Sequence, residues 1–265
     1  MIATESTFVT LPGGFAANAL LSKGAGSPVV YLHGPFGQEW TGFLDDLAGS
    51  HRVYAPAHPG ANEPDDLRHL DGLWDLMLYY DDLFASLGLD RVDLVGHSFG
   101  GMVAAELAAT FPERIRKLVL IDALGLWRDD APVSDHVMTT PEKQIGLLYV
   151  DPTRPEIAAR LTLPEDVQKK NAAIVHQFSA LASTSHFIWP IPERGLAKRL
   201  RRVKAQTLVV WGRQDRLAPP VYAEEFAAQI AGAEVRLVDA AGHVPQVEQR
   251  EVVSKAVLKF LAGEG

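Results

Sequence analysis

A doubly wound, mostly parallel α/β sheet, interrupted by one helical cap insertion, is the fold class this sequence predicts. Three observations lead to it. Short β-rich runs recur along the chain and most are continuously apolar, as strands covered by helices on both faces must be. Helical patterns separate them, the alternation that produces a parallel sheet. Near the middle the strand signals stop for roughly 80 residues, longer than a plain loop can be.

Taken in order, Phe8-Val9 and residues 18–22 flank Leu11-Pro12-Gly13-Gly14 and read as an antiparallel hairpin leading into the sheet. Strands follow at Val29-Val30-Tyr31-Leu32, Arg52-Val53-Tyr54-Ala55, Val92-Asp93-Leu94-Val95 and Leu118-Val119-Leu120-Ile121. Helices are expected over 73–87 and 99–110, the second stopped by Pro112. From about Ala123 to Lys204, prolines at 132, 141, 152, 155, 164, 190 and 192 punctuate short helical pieces. This stretch reads as a cap over the C-terminal edge of the sheet, where open α/β sheets bind ligands. The sheet resumes at Thr207-Leu208-Val209-Val210-Trp211 and Val235-Arg236-Leu237-Val238. A last helix shows its buried stripe in Val253, Ala256, Val257, Phe260 and Leu261, spaced i, i+3, i+4, i+7, i+8. The expected division is a core of residues 1–122 and 205–265 and an insertion of 123–204.

A chain of 265 residues is long enough for one sizeable core. Lys plus Arg number 25 against 33 Asp plus Glu, a net charge of −8, which argues against a nucleic-acid or anionic-membrane partner. The basic run at 198–204 reads as the solvated face of a helix. With no cysteine there is no disulfide, thiolate metal site or cysteine nucleophile. The start, MIATESTFVTLPGG, lacks a basic region followed by an apolar run, and no stretch approaches the ~18 apolar residues of a membrane span. A cytoplasmic location is expected, and the oligomeric state is left open.

The sharpest chemical signal is Val92-Asp93-Leu94-Val95-Gly96-His97-Ser98-Phe99-Gly100-Gly101. A strand delivers Ser98 into a turn so tight that the positions two before and two after must be small. The positive N-terminal end of the next helix then lies beneath any anion formed there. A serine hydroxyl needs a base to become nucleophilic, and the base needs a carboxylate to orient it. Asp215 in Gly212-Arg213-Gln214-Asp215 and His243 in Ala241-Gly242-His243 each follow a strand, so the three converge at one sheet edge. Asp122, just after Ile121, is the alternative acid. No metal-ligand cluster, phosphate loop or dinucleotide fingerprint is present, and no cofactor is implied.

These motifs, HG at 33, GHSFGG at 96, WGRQD at 211 and AGH at 241, resemble the α/β-hydrolase superfamily, specifically its capped members. Those include carboxylesterases, lactonases, haloperoxidase-like enzymes and carbon–carbon bond hydrolases. The likeness covers residues of about 1–122 and 203–265. It implies Ser98 as nucleophile, Asp215 as acid and His243 as base, and a serine rather than an aspartate at the elbow implies acyl chemistry. The expected activity is cofactor-independent cleavage of a carboxylic ester or lactone through an acyl-enzyme. Hydrolysis of carbon–carbon bonds in ring-cleavage diketones by the same triad is the alternative. A catalytically silent ligand-binding member and a peroxidase-like activity at the acyl-enzyme are further readings.

In such relatives the residue straight after His-Gly often gives one oxyanion N–H and the residue after the nucleophile the other. Pro35 has no N–H, so Phe36 is expected to donate with Phe99, against a side-chain or water donor. His33 and His97 are expected to be structural, while His51, His58, His69 and His136 read as surface or loop residues. His176 and His186 are candidates for touching substrate. The insertion supplies Leu124, Leu126, Trp127, Met138, Leu147, Leu148, Tyr149, Phe178, Leu181, Phe187, Ile188 and Trp189. Phe36, Trp127 and Trp189 are expected to line an apolar pocket, so the small-molecule substrate should carry an apolar part.

Overall fold

The computed structural model describes residues 3–189 and 194–263. Pro190 and Pro192 of the insertion, and the first two residues of the chain, lie outside them. Among the described residues eight strands form one sheet, ordered β1-β2-β4-β3-β5-β6-β7-β8. They are β1 (Glu5–Val9), β2 (Asn18–Lys23), β3 (Pro28–Leu32), β4 (Arg52–Pro56), β5 (Val92–His97), β6 (Ile115–Ile121), β7 (Gln206–Gly212) and β8 (Glu234–Val238). The hairpin of β1 and β2 is antiparallel, β2 pairs antiparallel with β4, and every later pair is parallel.

The strand order reverses at β3. The chain runs outward from β3 to β4, then crosses back to β5 on the other side. Loops leaving β3 and β5 therefore part at one point of the sheet edge, and a crevice opens between them. This places His33-Gly34-Pro35-Phe36 beside Ser98.

Helices cover both faces. α1 (Gly42–Ala48) and α10 (Arg250–Ala262) pack on one, where Phe43, Leu44, Leu47, Val253, Val257 and Leu261 meet Val29, Val53, Val95, Val119 and Val210. α2 (Leu73–Ser86), α3 (Phe99–Thr110) and α8 (Val221–Gln229) pack on the other, which continues into the insertion. The strand β6 starts three residues before its apolar run. Lys117, an unpromising strand residue, reaches the end of α10 and donates to the carbonyls of Phe260 and Leu261 at 2.7 and 2.9 Å. There its charge also meets the negative end of the helix.

Between β6 and β7 lie α4 (Pro141–Leu148), α5 (Pro155–Leu161), α6 (Val167–Ile188) and α7 (Leu196–Leu200); the short α9 (Pro245–Glu248) precedes α10. The prolines that punctuate the insertion are partly helix starts, since Pro141 and Pro155 occupy first-turn positions where no N–H is required. α6 starts where Asp166 accepts from the Lys169 N–H at 2.9 Å. None of the helices among the described residues is long and apolar enough to cross a membrane.

The basic run does more than face solvent. Arg199 makes two bonds to the buried carboxylate of Glu106 on α3, at 2.6 and 2.7 Å, and Arg202 donates to the Ala109 carbonyl. A forked pair of this kind is strong where the carboxylate is shielded from water. Removing one partner strands a buried charge, whereas removing both does not. Arg199→Leu should therefore cost about 2–4 kcal/mol of stability, and adding Glu106→Leu should restore most of it, as read by urea denaturation; equal losses in the single and double variants would contradict this.

Candidate active site

The site starts from a strained residue. Ser98 sits at φ 54°, ψ −117°, between β5 and α3. For a side chain with a Cβ this region costs of order 1–3 kcal/mol and persists only where surroundings enforce it. Here they do: the Ser98 N–H donates to Ile121 O at 2.9 Å, and its carbonyl accepts from Met102 N at 3.1 Å and Leu124 N at 3.0 Å. A Cβ at Gly96 would overlap the Gly100 carbonyl, and one at Gly100 would overlap the carbonyls of Leu32 and His33. The two glycines are thus required by close approach of backbone, as the sequence spacing implies.

The structure brings Ser98, His243 and Asp215 into one buried hydrogen-bonded chain. His243 Nε2 lies 2.7 Å from Ser98 Oγ, and His243 Nδ1 lies 2.8 Å from Asp215 Oδ2. The other carboxylate oxygen of Asp215 accepts from the N–H groups of Leu217 and Ala218 at 2.8 and 3.0 Å. With Nδ1–H donated to Asp215, Nε2 is left to accept the serine proton, the arrangement a general base requires. The loop carrying His243 is held from the insertion. Its N–H donates to Leu148 O at 2.9 Å, and buried Glu248 accepts from Gly242 N at 2.6 Å and Val150 N at 2.8 Å.

Asp122 also reaches this cluster, from a positive-φ position at the end of β6. Its Oδ1 accepts from Gly212 N at 3.0 Å, while its Oδ2 is buried with no partner in hydrogen-bond geometry. Burial and the neighbouring Asp215 push the Asp122 carboxyl well above the ordinary range. Facing atoms of Asp122, Asp215 and His243 lie within 4.8 Å of one another, near enough for a cation by distance alone. The His243 ring, however, already divides its nitrogens between Asp215 and Ser98.

The loop after β3 is locked by a second pair of histidines. His58 donates its backbone N–H to His33 Nε2 at 3.0 Å, and its Nε2 lies 2.7 Å from His33 O. Those contacts fix both tautomers: His33 donates from Nδ1 to Gly34 O at 2.6 Å, and His58 Nδ1 accepts from the Tyr80 hydroxyl. His58, read as a surface or loop residue, does lie in the loop after β4, but it is buried there against Phe99 and Tyr80. Gly34 passes directly over the serine; a Cβ there would stand 3.4 Å from that of Ser98. Pro35 is buried and Phe36 half-buried. As first residue of α3, Phe99 has an N–H with no intrahelical acceptor.

Several cap expectations change. Phe187 of α6 stacks on Phe99 at 6.2 Å, so it is the cap aromatic that meets the nucleophile turn. Trp189 is 43% exposed and directs its indole N–H toward Asp135, and Trp127 donates its own to Asp129. Met138 and Phe178 are also exposed. His176 bonds Asn62 and His186 bonds Leu70 O, so both tie the cap to core loops. His97 holds the nucleophile turn to the base, donating from Nε2 to His243 O at 2.7 Å. His136, read as a surface or loop residue, lies in a loop of the insertion but is fully buried. His51 is half-buried and His69 exposed.

The Alpha/beta hydrolase family model matches residues 29–256. Among curated proteins, the chain is 27% identical over 268 residues to a 2-hydroxy-6-oxo-2,4-heptadienoate hydrolase of Pseudomonas putida, covering 97% of this chain and 96% of that one. It is 27% identical over 292 residues to a 2-hydroxy-6-oxo-6-phenylhexa-2,4-dienoate hydrolase of Burkholderia cepacia, covering 98% and 97%. Among solved structures it resembles a meta-cleavage product hydrolase from Pseudomonas fluorescens, with TM-score 0.76, 18% identity and 98% of each chain covered. A naproxen esterase from Bacillus subtilis matches with TM-score 0.76 and 18% identity over 98% of this chain and 92% of that one.

Two outcomes test this geometry. A fluorophosphonate should label the protein at Ser98; Ser98→Ala should abolish labelling and Asp215→Asn slow it about 10³- to 10⁴-fold by favouring the wrong imidazole tautomer. Asp122→Asn, an isostere of the protonated acid, should stay within about tenfold, and an unaffected Asp215→Asn protein would overturn the assignment.

The second outcome concerns pH. Burial holds His33 and His136 at about 4 and His97 at about 3, and puts His58 well below its ordinary value. Below the ordinary histidine pKa of about 6.5 the unfolded chain takes up these protons and the native one does not. Asp122 and Glu248, both raised by burial, offset part of this. Stability should thus be full above about pH 6.5 and fall toward pH 4, by about 1.4 kcal/mol per pH unit for each net proton. A Tm unchanged between pH 7 and 5 would contradict it.

Proposed function

The chain belongs to the alpha/beta hydrolase family, and from that premise we propose that it hydrolyses the carbon–carbon bond next to the 6-ketone of a 2-hydroxy-6-oxo-dienoate. The supporting observation is the pair of curated relatives that match almost end to end and act on two such substrates. The motifs alone favour no leaving group; the triad only requires a carbonyl that serine can attack. Ester or lactone cleavage uses the same acyl-enzyme, but the likeness to esterase structures lies under 25% identity and carries the fold alone.

The residues assign themselves to steps. The 2-enol of such a substrate ketonises by taking a proton at C5, which makes the bond from C5 to C6 breakable. His243 removes the Ser98 hydroxyl proton, and Oγ bonds to C6. The oxygen of C6 becomes an oxyanion held by the N–H groups of Phe36 and Phe99; losing one such donor typically costs ~3 kcal/mol. As the bond breaks, its electron pair passes through the unsaturated chain to the 2-oxygen, which takes the proton held by His243, and 2-hydroxypenta-2,4-dienoate leaves. Water, deprotonated by His243, then cleaves the acyl-Ser98 ester and releases the carboxylic acid from C6. The sum is substrate plus water giving two acids.

Apolar groups close over this chemistry. Phe36, Phe99 and Phe187 supply aromatic surface around Ser98, which suits a conjugated substrate and keeps bulk water out. Assayed side by side, 2-hydroxy-6-oxo-2,4-heptadienoate should give acetate and 2-hydroxypenta-2,4-dienoate with kcat/KM at least about 100-fold above that for 4-nitrophenyl acetate. Turnover of the aryl ester with none of the dienoate would overturn the proposal in favour of an esterase.

A further inference from the structure

One buried titratable group is left over once the triad and the histidine lock are assigned. His136 is fully buried, yet neither ring nitrogen has a hydrogen-bond partner among the described residues. The Ser134 backbone lies beside the ring but outside hydrogen-bond geometry. Buried polar atoms are satisfied in the great majority of cases, and an exception calls for a missing partner.

Its neighbours place it beside the loop that crosses Ser98 and within electrostatic reach of His243. The His136 ring meets the Phe36 ring edge-on, with centroids 6.5 Å apart, so it faces the loop that crosses Ser98. Two residues earlier, Ser134 is bonded through its N–H to Leu217 O at 2.8 Å and through Oγ to Arg216 O at 2.9 Å, on the turn just after Asp215. The segment is otherwise fully committed. Asp135 Oδ1 accepts from the N–H groups of Val137 and Met138, and Gln144 donates to His136 O at 2.7 Å. These bonds hold the segment in place, and among the described residues neither ring nitrogen is bonded.

We infer that His136 is a substrate-binding residue that donates a hydrogen bond to the hydroxy-acid end of the dienoate while Ser98 addresses the ketone end. The inference rests on the reading of the substrate class given above. Burial lowers the imidazole pKa to about 4, so near neutral pH it offers one N–H and one lone pair. A carboxylate or enolate oxygen accepts the N–H, and a hydrogen bond to an ionised group is stronger than one between neutral groups. A hydrocarbon substituent would leave the nitrogens as bare as before. His136 therefore selects for the polar end, where the aromatic groups cannot.

The test separates this inference from the reaction. Ser98→Ala protein is titrated with 2-hydroxy-6-oxo-2,4-heptadienoate and with hepta-3,5-dien-2-one, which keeps the conjugated ketone and lacks the hydroxy-acid end. The same titrations follow for Ser98→Ala/His136→Phe and Ser98→Ala/His136→Gln, each checked for an unchanged Tm. Expected is a rise in Kd of about 10- to 100-fold for the dienoate in the Phe variant, less than about threefold for the dienone, and partial rescue by Gln. Equal losses for both ligands, or none for the dienoate, would overturn the assignment of His136. Dienoate binding to Ser98→Ala without turnover by the wild-type protein would sink the carbon–carbon reading alone, and absence of dienoate binding would sink both.

Discussion

The backbone at Ser98 is the constraint from which the site is built. Its left-handed twist lifts the hydroxyl off the sheet edge, and that twist survives because three backbone bonds tie the residue to Ile121, Met102 and Leu124. Two of those partners belong to β6 and the segment leaving it, so the strand next to β5 does more than fill the sheet. It clamps the turn in a conformation the chain would not choose. The cost is local, while the restraint comes from a core in which β5 and β6 are buried along almost their whole length.

Around that point, histidines act as structural hydrogen-bond brackets and not as charges. His58 donates twice to His33, from its backbone N–H to Nε2 and from its own Nε2–H to the carbonyl, and Tyr80 closes the chain from α2. The carbonyl of His33 also accepts from Gly100 N at 3.1 Å, which joins the loop after β3 to the first turn of α3. An oxyanion hole needs two N–H groups on different elements held at fixed separation. This bracket fixes the separation between the loop of Phe36 and the helix of Phe99. A proline at 35 is tolerable in that setting because the loop is held by histidine contacts rather than by its own N–H groups.

What the sequence reveals depends on how local the signal is. The nucleophile turn is legible because its steric demand falls on Gly96 and Gly100, both within two residues of Ser98. Strands β3 to β7 announce themselves by continuous apolar character, though the polar start of β6 hides because Lys117 finds its partner 144 residues away. His58 and His136 escape for the same reason. A histidine among polar and proline residues looks like exposed loop, and only tertiary contact shows that both are buried. The cap aromatics fail similarly: a helix places Phe187 inward and leaves Trp189, two positions on, at the surface, and composition cannot tell which.

The choice of acid shows how far position alone can go. Asp122 and Asp215 stand at the ends of adjacent strands β6 and β7, both buried and both near the His243 ring. Two carboxylates this close cannot both be charged cheaply, so the fold must make them unequal. It does so with backbone dipoles. Asp215 receives two N–H groups from its own turn and a third donor from His243, whereas Asp122 receives one N–H, that of Gly212. Donors are most numerous at Asp215, and Asp122, whose carboxyl burial and Asp215 push up, braces β7 beside it through the Gly212 N–H. The turn Gly212-Arg213-Gln214-Asp215-Arg216-Leu217-Ala218 thus supplies the acid together with the two amides that hold its carboxylate toward His243.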